Sequence, residues 1–318
     1  MISQGVTQSE ALDELAAGDL ASEFDVTARE VGFYQLAFRR FRKHHLAVGS
    51  IVLLAVIAIS CFLIPYVLPA DFNRPHLEAR LVTPNLKHLL GTDEIGRDIL
   101  YRILTGGQVS IVVGLLATLV TIVIGTLLGT LSGYFGGWLD NVLMRITDAI
   151  LSVPSIFLLI LLSSGIAVGP FLLPGHTPLL IIVAIGVIAW PDTARIIRSV
   201  VLSLREKDFV EAARAVGSAN WKIIARHILP NALGPITVSA TLSIGSAILT
   251  ESTLSYLGLG IGAPISSWGS TLQAAQDYIW EAPYYALFPG TMILLTVLCV
   301  NFIGDGLRDA FDPRSFER

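Results

Sequence analysis

Charged side chains divide the chain into long apolar segments and short polar ones. No charge lies between residues 46 and 70, a stretch longer than the ~20 residues with which a helix crosses ~30 Å of hydrocarbon. Two further stretches without charge cover residues 103–139 and 149–191, and the second is long enough for two crossings. The pattern therefore predicts six membrane-spanning helices, near residues 46–70, 109–131, 149–168, 179–197, 236–261 and 284–303.

Glycine and proline refine this pattern at two places. A turn between the third and fourth spans is predicted by a group of such residues, namely Gly169, Pro170, Pro174, Gly175 and Pro178. Four glycines recur in the second span at intervals that let a neighbouring helix approach closely: Gly114, Gly125, Gly129 and Gly133. We interpret these four as helix-packing positions.

The distribution of lysine and arginine predicts the topology. An even number of spans puts both termini on one side, and cytoplasmic flanks collect positive charge. Of the 21 lysines and arginines, sixteen fall on the side of the termini. The five on the other side are Arg74, Arg80, Lys87, Arg97 and Arg102. Both termini, and the polar segment between the fourth and fifth spans, are therefore expected in the cytoplasm.

The composition agrees with a membrane protein. Hydrophobic residues make up 53% of the chain and charged residues 14%, and the mean hydropathy is +0.69. A soluble domain has roughly a quarter of its residues charged, so most soluble folds are excluded. The net charge of −4 and the lack of a long basic run argue against a nucleic-acid partner. Cys61 and Cys299 lie in apolar runs and cannot form a disulfide framework.

We expect three regions along the chain. Residues 1–45 form a cytoplasmic tail that is acidic and alanine-rich at 9–25 and ends in an interfacial amphipathic helix, for which a simple basic flank of the first span is an equal alternative. Residues 46–304 form the six-span domain, with an outer loop at about 70–107 and a cytoplasmic loop at about 198–235. Residues 305–318 form a cytoplasmic tail. A cleaved signal peptide is not favoured, because more than forty mostly polar residues precede the first apolar run.

The cytoplasmic loop contains a pattern typical of two short helices joined by a turn. Phe209–Val216 is predicted to be the first helix, and Gly217 ends it where a left-handed residue is needed. Asn220 is expected to cap a second helix over Trp221–Leu229, which Pro230 would terminate. The result is a helix-turn-helix elbow on the cytoplasmic side. The small Ala212 and Ala213 would let another protein approach it closely, and Glu211 would place a charge at its edge.

This elbow resembles the EAA loop of permease subunits of ATP-binding cassette (ABC) importers. That motif consists of Glu-Ala-Ala, three residues, Gly, nine residues and Ile-x-Leu-Pro. The residues that match at the required spacing are Glu211, Ala212, Ala213, Gly217, Leu229 and Pro230. His227 stands where the general pattern has isoleucine, a departure familiar in the peptide-importer branch. The resemblance implies that these residues couple the subunit to an ATPase.

Other segments are similar to the permeases of dipeptide, oligopeptide and nickel importers, specifically to the second of their two non-identical permease subunits. The similarity covers nearly everything from the first span to Arg314, and its segments are 90–102, 133–148, 255–260, 267–269 and 304–313. It implies an all-α polytopic membrane protein with the type I ABC importer permease fold, in a bacterial or archaeal cytoplasmic membrane.

The resemblance also implies partners and cargo. The partners would be a paralogous permease subunit, two ATP-binding subunits that carry ATP and magnesium, and an extracytoplasmic solute-binding protein. No cofactor or metal would belong to this chain. Cargo would cross between the two permeases by alternating access. Dipeptides or oligopeptides are the first expectation, followed by nickel, opine-like or oligosaccharide ligands.

Acidic residues in the outer loop have a structural interpretation. Asp93, Glu94 and Asp98 lack the spread of oxygen ligands that a calcium loop supplies. We expect Thr92 or Asp93 to cap the helix leading into the second span, and Arg97 to pair with a neighbouring carboxylate.

Three further acidic residues lie at or inside apolar runs, where a carboxylate is costly. For Asp148 and Asp192, near predicted membrane edges, we expect interfacial placement or pairing with Arg145, Arg195 or a partner subunit. Glu251 lies deeper, and the sequence leaves open whether it belongs to a translocation path or to helix packing.

Other classes of function fit the sequence less well than a permease does. None of the four lysines completes a G-x-x-x-x-G-K-[ST] motif, so the chain is not expected to hydrolyse ATP itself or to be an enzyme. An intramembrane hydrolase would need a serine and a histidine at matched depth, and the histidines fall in loops and turns. A secondary transporter would fit six spans and Glu251, but it gives no reason for the elbow.

Overall fold

The computed structural model describes residues 33–67, 74–163, 165–168, 171–174 and 177–311. Within these residues the fold is helical apart from one two-stranded antiparallel hairpin. The α-helices are α1 (Phe33–Phe41), α2 (His45–Val67), α3 (Ile99–Phe135), α4 (Gly137–Leu151), α5 (Ser155–Ser163), α6 (Pro178–Arg205), α7 (Asp208–Ala215), α8 (Asn220–Ile223), α9 (Leu229–Tyr256), α10 (Trp268–Ala275) and α11 (Pro283–Phe311). The strands are β1 (Gly165–Val168) and β2 (Phe171–Pro174). Short 3₁₀ helices occupy Leu77–Ala79 and Gln276–Tyr278.

Five helical segments of the described chain are long and apolar enough to cross a membrane. They are α2, α3, α6, the run from α8 through α9, and α11. They correspond to five of the six predicted spans, but most extend beyond the predicted bounds. The predicted second span begins at residue 109, whereas α3 begins at Ile99. The apolar pattern marks only the part of a helix that lies in lipid, and the backbone continues beyond it until a cap ends it.

The prediction of one continuous third span over 149–168 was wrong. The structure has instead α4 and α5, bent by 80° at the break between Leu151 and Ser155, followed by β1. Pro154 lies in this break, and proline lacks the N–H that a continuing helix would need. The bent pair raises the number of possible crossings among the described residues to six if it crosses as one span. The predicted turn at Gly169 and Pro170 lies outside the described residues.

The start of α3 is capped one turn later than expected. Asp98, not Thr92 or Asp93, is the N-cap, and its carboxylate accepts a hydrogen bond of 3.2 Å from the backbone N–H of Tyr101. Thr92 accepts instead from the backbone N–H of Val82 within the outer loop. The acidic side chains are close together in sequence, so spacing alone did not distinguish the cap from the loop residues.

Glycines of α3 lie against α6, as predicted for packing positions. A Cβ atom added to Gly129 would approach the carbonyl oxygen of Ala194 to 2.5 Å, and one on Gly125 would approach the Thr193 side chain to 2.6 Å. Gly133 is similarly close to the backbone of Arg198. At Gly129 and Gly133 a side chain would not fit without a shift of the α6 backbone. The glycines therefore set the close approach of α3 and α6.

The elbow after α6 agrees with its predicted first half and differs in its second. Helix α7 ends just before Gly217, whose φ of +79° is the left-handed conformation expected there. Pro230 does not terminate the second helix, because a π-helical segment, Ile224–Ile228, joins α8 to α9 without a break. The N–H of Leu229 reaches back to the carbonyl of Ile224, and this wider turn accommodates a proline that an ordinary α-helical interior would reject.

The polar parts of the chain gather at two opposite ends of the helix bundle. At one, the elbow end, α1 and the last turns of α11 meet: the imidazole of His44 is 3.7 Å from the carboxylate of Asp309. At the other, the loop end, the outer loop packs on α10 and the start of α11. There the indole N–H of Trp268, which is fully buried, donates to the carbonyl of Ile103 over 2.9 Å. Of the expected tails at 1–45 and 305–318, residues 1–32 and 312–318 lie outside the described residues.

Candidate functional site

The elbow presents most of its EAA-type residues to solvent. Glu211, Ala212 and Gly217 are exposed, whereas Ala213 is half-buried against the apolar cluster beneath α7. Helical geometry explains this difference, because only one side of a short helix can face away from the molecule. Ala212 is therefore the alanine available to another protein, while Ala213 mainly holds the elbow to the spans.

Exposed apolar side chains extend this surface beyond the sequence motif. Val216 is 86% exposed and Trp221 is 72% exposed, and Phe209 is also on the surface. Large apolar groups clustered on a polar segment mark an interaction surface. Sequence reasoning did not single out these side chains. The signal available in the sequence was a large apolar residue within a polar segment, because Trp221 lies between Asn220 and Lys222.

The inner side of the elbow packs in one apolar cluster with residues of α3, α6 and α9. Val210, Ile223 and Ile228 are fully buried and pack with Ile197 and Val201 of α6. This apolar contact joins α7 and α8 to the membrane-spanning helices.

Polar contacts strengthen the same junction at the end of α3. The Tyr134 hydroxyl donates to Asn220 Oδ1 over 3.0 Å, and Arg205 donates to the Tyr134 carbonyl over 3.2 Å. The guanidinium of Arg214 lies over the Tyr134 ring, 5.4 Å from its centre. A force on the exposed face of the elbow would therefore pass directly to α3, α6 and α9.

Ion pairs join α4 to α6 near the same end. Both nitrogens of the Arg198 fork donate to the Asp140 carboxylate at 2.6 Å, a bidentate arrangement, and Ser132 also donates to that carboxylate. Arg195 pairs with Asp148 at 2.5 Å, which confirms one of the two kinds of placement expected for Asp148. Within the described residues no basic side chain pairs with Asp192, so its expected interfacial placement or pairing with a partner subunit stays a prediction.

Glu251 lies in a fully buried cluster of serines. Its carboxylate accepts hydrogen bonds from Ser255 at 2.7 Å and from Ser110 of α3 at 3.0 Å. The Ser110 hydroxyl in turn accepts from the backbone N–H of Trp268 at the start of α10. The carboxylate thus connects α9, α3 and α10, and this geometry favours the packing interpretation of Glu251.

The outer loop is held by a second buried network. Asp93, fully buried, accepts from Arg97 Nε at 2.7 Å and from Arg102 at 3.1 Å, as expected for Arg97. The hydroxyl of Tyr285 donates to Glu94 over 2.5 Å and so ties the loop to α11. Every carboxylate of this network is engaged by basic or hydroxyl groups. Among the described residues no group of three or more histidine, cysteine or acidic side chains is arranged to hold a metal ion.

Comparisons with known proteins decide the family. The sequence profile described as "Binding-protein-dependent transport system inner membrane component" matches residues 125–317, and the profile described as "N-terminal TM domain of oligopeptide transport permease C" matches residues 32–86. The chain belongs to the family of inner membrane components of binding-protein-dependent transport systems. Membership places this permease in the cytoplasmic membrane as a multi-pass protein.

Individual relatives of this permease cover nearly its whole length. The oligopeptide transport system permease protein OppC of Escherichia coli (strain K12) is 42% identical over 298 residues, which are 93% of this chain and 95% of OppC. The dipeptide transport system permease protein DppC of Alkalihalophilus pseudofirmus is 40% identical over 279 residues, 87% and 89% of the two chains. The resemblance found in the sequence motifs is thereby confirmed.

A solved structure supports the fold. A chain of the MetNI methionine ABC transporter, described in inward-facing conformations, superposes with a TM-score of 0.53 at 20% identity. The match covers 67% of this permease and 98% of that chain. The predicted all-α polytopic fold of the ABC importer permeases is therefore correct. Which end of the bundle faces the cytoplasm stays a prediction.

Proposed function

We propose that this permease subunit forms half of the path by which an ATP-driven importer moves peptides across the cytoplasmic membrane. The observation that carries the proposal is the elbow: an exposed apolar surface around Trp221 is braced from behind by buried contacts with α3, α6 and α9. Such a surface suits transmission of force from a separate motor. Relatives named for oligopeptide and dipeptide transport support peptides as the cargo.

The motor in this proposal is a pair of ATP-binding subunits docked at the elbow. Glu211, Ala212 and Gly217 form the exposed part of the contact, and Val216 and Trp221 supply its apolar centre. Ala213 and Leu229, which are half-buried, act behind it by shaping the elbow, and the exposed Pro230 shapes the junction with α9. ATP and magnesium bind to the motor subunits, and this chain carries out no chemical step.

Two further partners complete the importer. A paralogous permease would face this chain across the path, and an extracytoplasmic binding protein would deliver cargo at the loop end. This arrangement requires the elbow end to face the cytoplasm, as the asymmetry of lysine and arginine predicts.

Reconstitution of the complete complex in proteoliposomes tests this function. ATP is supplied inside or outside the vesicles, depending on the orientation in which the complex inserts, and the binding protein is present. Under these conditions we expect uptake of labelled trialanine and ATP hydrolysis that trialanine stimulates. The matched control contains motor subunits whose catalytic glutamate is replaced by glutamine, and it should show neither. Uptake that continues in this control would identify a secondary transporter instead. Stimulation of ATP hydrolysis by nickel or an oligosaccharide, without any response to peptides, would reject peptides as the cargo.

A further inference from the structure

A cavity of about 220 Å³ lies between α3, α6 and α9, and one carboxylate lines it. Asp192 contributes this carboxylate from near the middle of α6, and Thr121 of α3 lies across the cavity. Carboxylates within membrane segments face protein or water-filled cavities and mark ligand or ion pathways. The cavity is therefore placed where a polar cargo would need a polar surface.

Asp192 differs in its surroundings from Asp140, Asp148 and Glu251. Asp140 and Asp148 are paired with arginines, and Glu251 accepts from serines. Asp192 is exposed to the cavity, and no ion pair or hydrogen bond joins it to the described residues. Its neighbour Arg195, one turn along α6, is already engaged by Asp148. The charge of Asp192 is thus available to something outside the chain as described.

Hydroxyl groups on α9 complete the lining with hydrogen-bond acceptors. Thr250 donates its proton to the carbonyl of Ser246 over 2.8 Å, and Ser246 donates to the carbonyl of Leu242 over 3.4 Å. Because these protons are turned back to the helix, the oxygen lone pairs remain for a ligand. Ser243 lines the same wall. A surface of carboxylate and hydroxyl acceptors matches a group that only donates hydrogen bonds, such as an ammonium.

A larger cavity adjoins this one toward the elbow end. This second cavity, of about 570 Å³, shares Ile196, Ser239 and Leu242 with the first and has Arg308 in its lining. The acidic group thus lies deep among the helices and the basic group lies toward the elbow end. A zwitterionic cargo would therefore meet an acidic group in one cavity and a basic group in the other.

We propose that Asp192 and the hydroxyls of α9 bind the ammonium group of a cargo peptide during its passage. The inference rests on the proposed function and deepens it, since it specifies peptides with a free amino terminus. Asp192, rather than Glu251, is then the acidic residue of the translocation path.

Uptake of labelled trialanine by the reconstituted complex tests the proposal. Asp192→Asn should lower the kcat/KM of uptake about tenfold, the low end of the contribution of one charge-assisted hydrogen bond. Asp192→Glu should restore much of the activity because it keeps the charge. Asp277→Asn is the matched control: it removes an exposed carboxylate outside both cavities and should transport as the unchanged complex does.

A cysteine experiment separates a ligand site from a structural role. In a background without Cys61 and Cys299, the Asp192→Cys variant should react with a methanethiosulfonate reagent, and saturating trialanine should slow that reaction. Equal uptake by the Asp192→Asn variant and the unchanged complex would overturn the inference. Loss of the assembled Asp192→Asn complex, together with no protection of the Asp192→Cys variant by trialanine, would assign Asp192 to a subunit contact. That result would overturn the inference as well. Failure of the unchanged complex to take up any peptide would instead refute the proposed function.

Discussion

At the scale of single residues, Glu251 shows how burial changes the meaning of an acidic side chain. Its carboxylate is fully buried and lies among the hydroxyls of Ser110 and Ser255, with the backbone N–H of Trp268 one hydrogen bond further on. A group held on all sides in this way is poorly placed to meet a passing ligand. This geometry favours a role in joining α9, α3 and α10.

Glutamine should therefore replace Glu251 with little harm, whereas leucine should not. Glu251→Gln keeps an acceptor for the serines, and membrane hydrogen bonds average only about 0.6 kcal/mol. Glu251→Leu leaves buried hydroxyls without a partner, at about 1–3 kcal/mol for each such group. Thermal unfolding of the purified complex should show a clear loss of stability for the Glu251→Leu variant and not for the Glu251→Gln variant. Normal stability of the Glu251→Leu variant, or loss of uptake by a stable Glu251→Gln variant, would contradict this assignment.

The exposed tryptophan of the elbow allows a direct test of docking. Trp221 is 72% exposed, so Trp221→Ala removes little internal packing, but an anchor residue of an interface typically contributes about 2 kcal/mol or more. We expect reduced co-purification of the ATPase subunits with an unchanged yield of folded permease. Trp280→Ala is the control, because Trp280 is 95% exposed and lies outside the elbow. Equal co-purification in both variants would remove Trp221 from the docking surface.

At the scale of elements, glycine decides how closely two helices can pack. Gly129→Ala places a methyl group against the Ala194 carbonyl, and overpacking of this kind costs about 1–3 kcal/mol. Gly290→Ala in α11 meets nothing within 4 Å and should be neutral, or stabilising by up to about 1 kcal/mol, because alanine favours helix more than glycine. The midpoint of thermal unfolding should therefore fall for Gly129→Ala and stay unchanged or rise for Gly290→Ala. Equal midpoints would show that α3 and α6 do not depend on this contact.

The turn of the elbow depends on backbone conformation alone. Gly217 has φ +79° and open space around the position of a Cβ atom, so a side chain there strains the backbone without a clash. Gly217→Val should disfavour the left-handed residue by about 1–2 kcal/mol and misalign the exposed face. Transport should fall while the spans remain folded, and Gly217→Asn should retain more activity because asparagine tolerates this conformation. If the Gly217→Val variant transports as well as the unchanged complex does, the elbow has no coupling role.

At the scale of the whole molecule, the orientation in the membrane has its own test. Ser218 lies in the elbow and is partly exposed, so in a background without Cys61 and Cys299 the Ser218→Cys variant should react only from the cytoplasm. Leu86 of the outer loop is 99% exposed, and Leu86→Cys should react only from outside. Labelling of the Ser218→Cys variant from outside sealed cells would invert the proposed topology.

The sequence by itself determined the membrane class, five of the spans, the packing glycines and the family of this permease. These properties follow from local composition and spacing: lipid requires an uninterrupted apolar run, and Gly217 and its neighbours form a motif of fixed spacing. The sequence did not determine the break at Pro154 or the continuous helix through Pro230. Whether a proline ends, bends or joins a helix depends on the turn formed around it.

Only the tertiary structure decided the roles of the acidic residues. Asp148, Asp192 and Glu251 all occur at or within apolar runs, and spacing along the chain gives no measure of what lies opposite each one. The structure places an arginine beside the first, an open cavity beside the second, and serines of its own helix and of α3 around the third. A carboxylate is stabilised or left available by the groups that surround it in space, and folding brings most of those groups from distant parts of the chain.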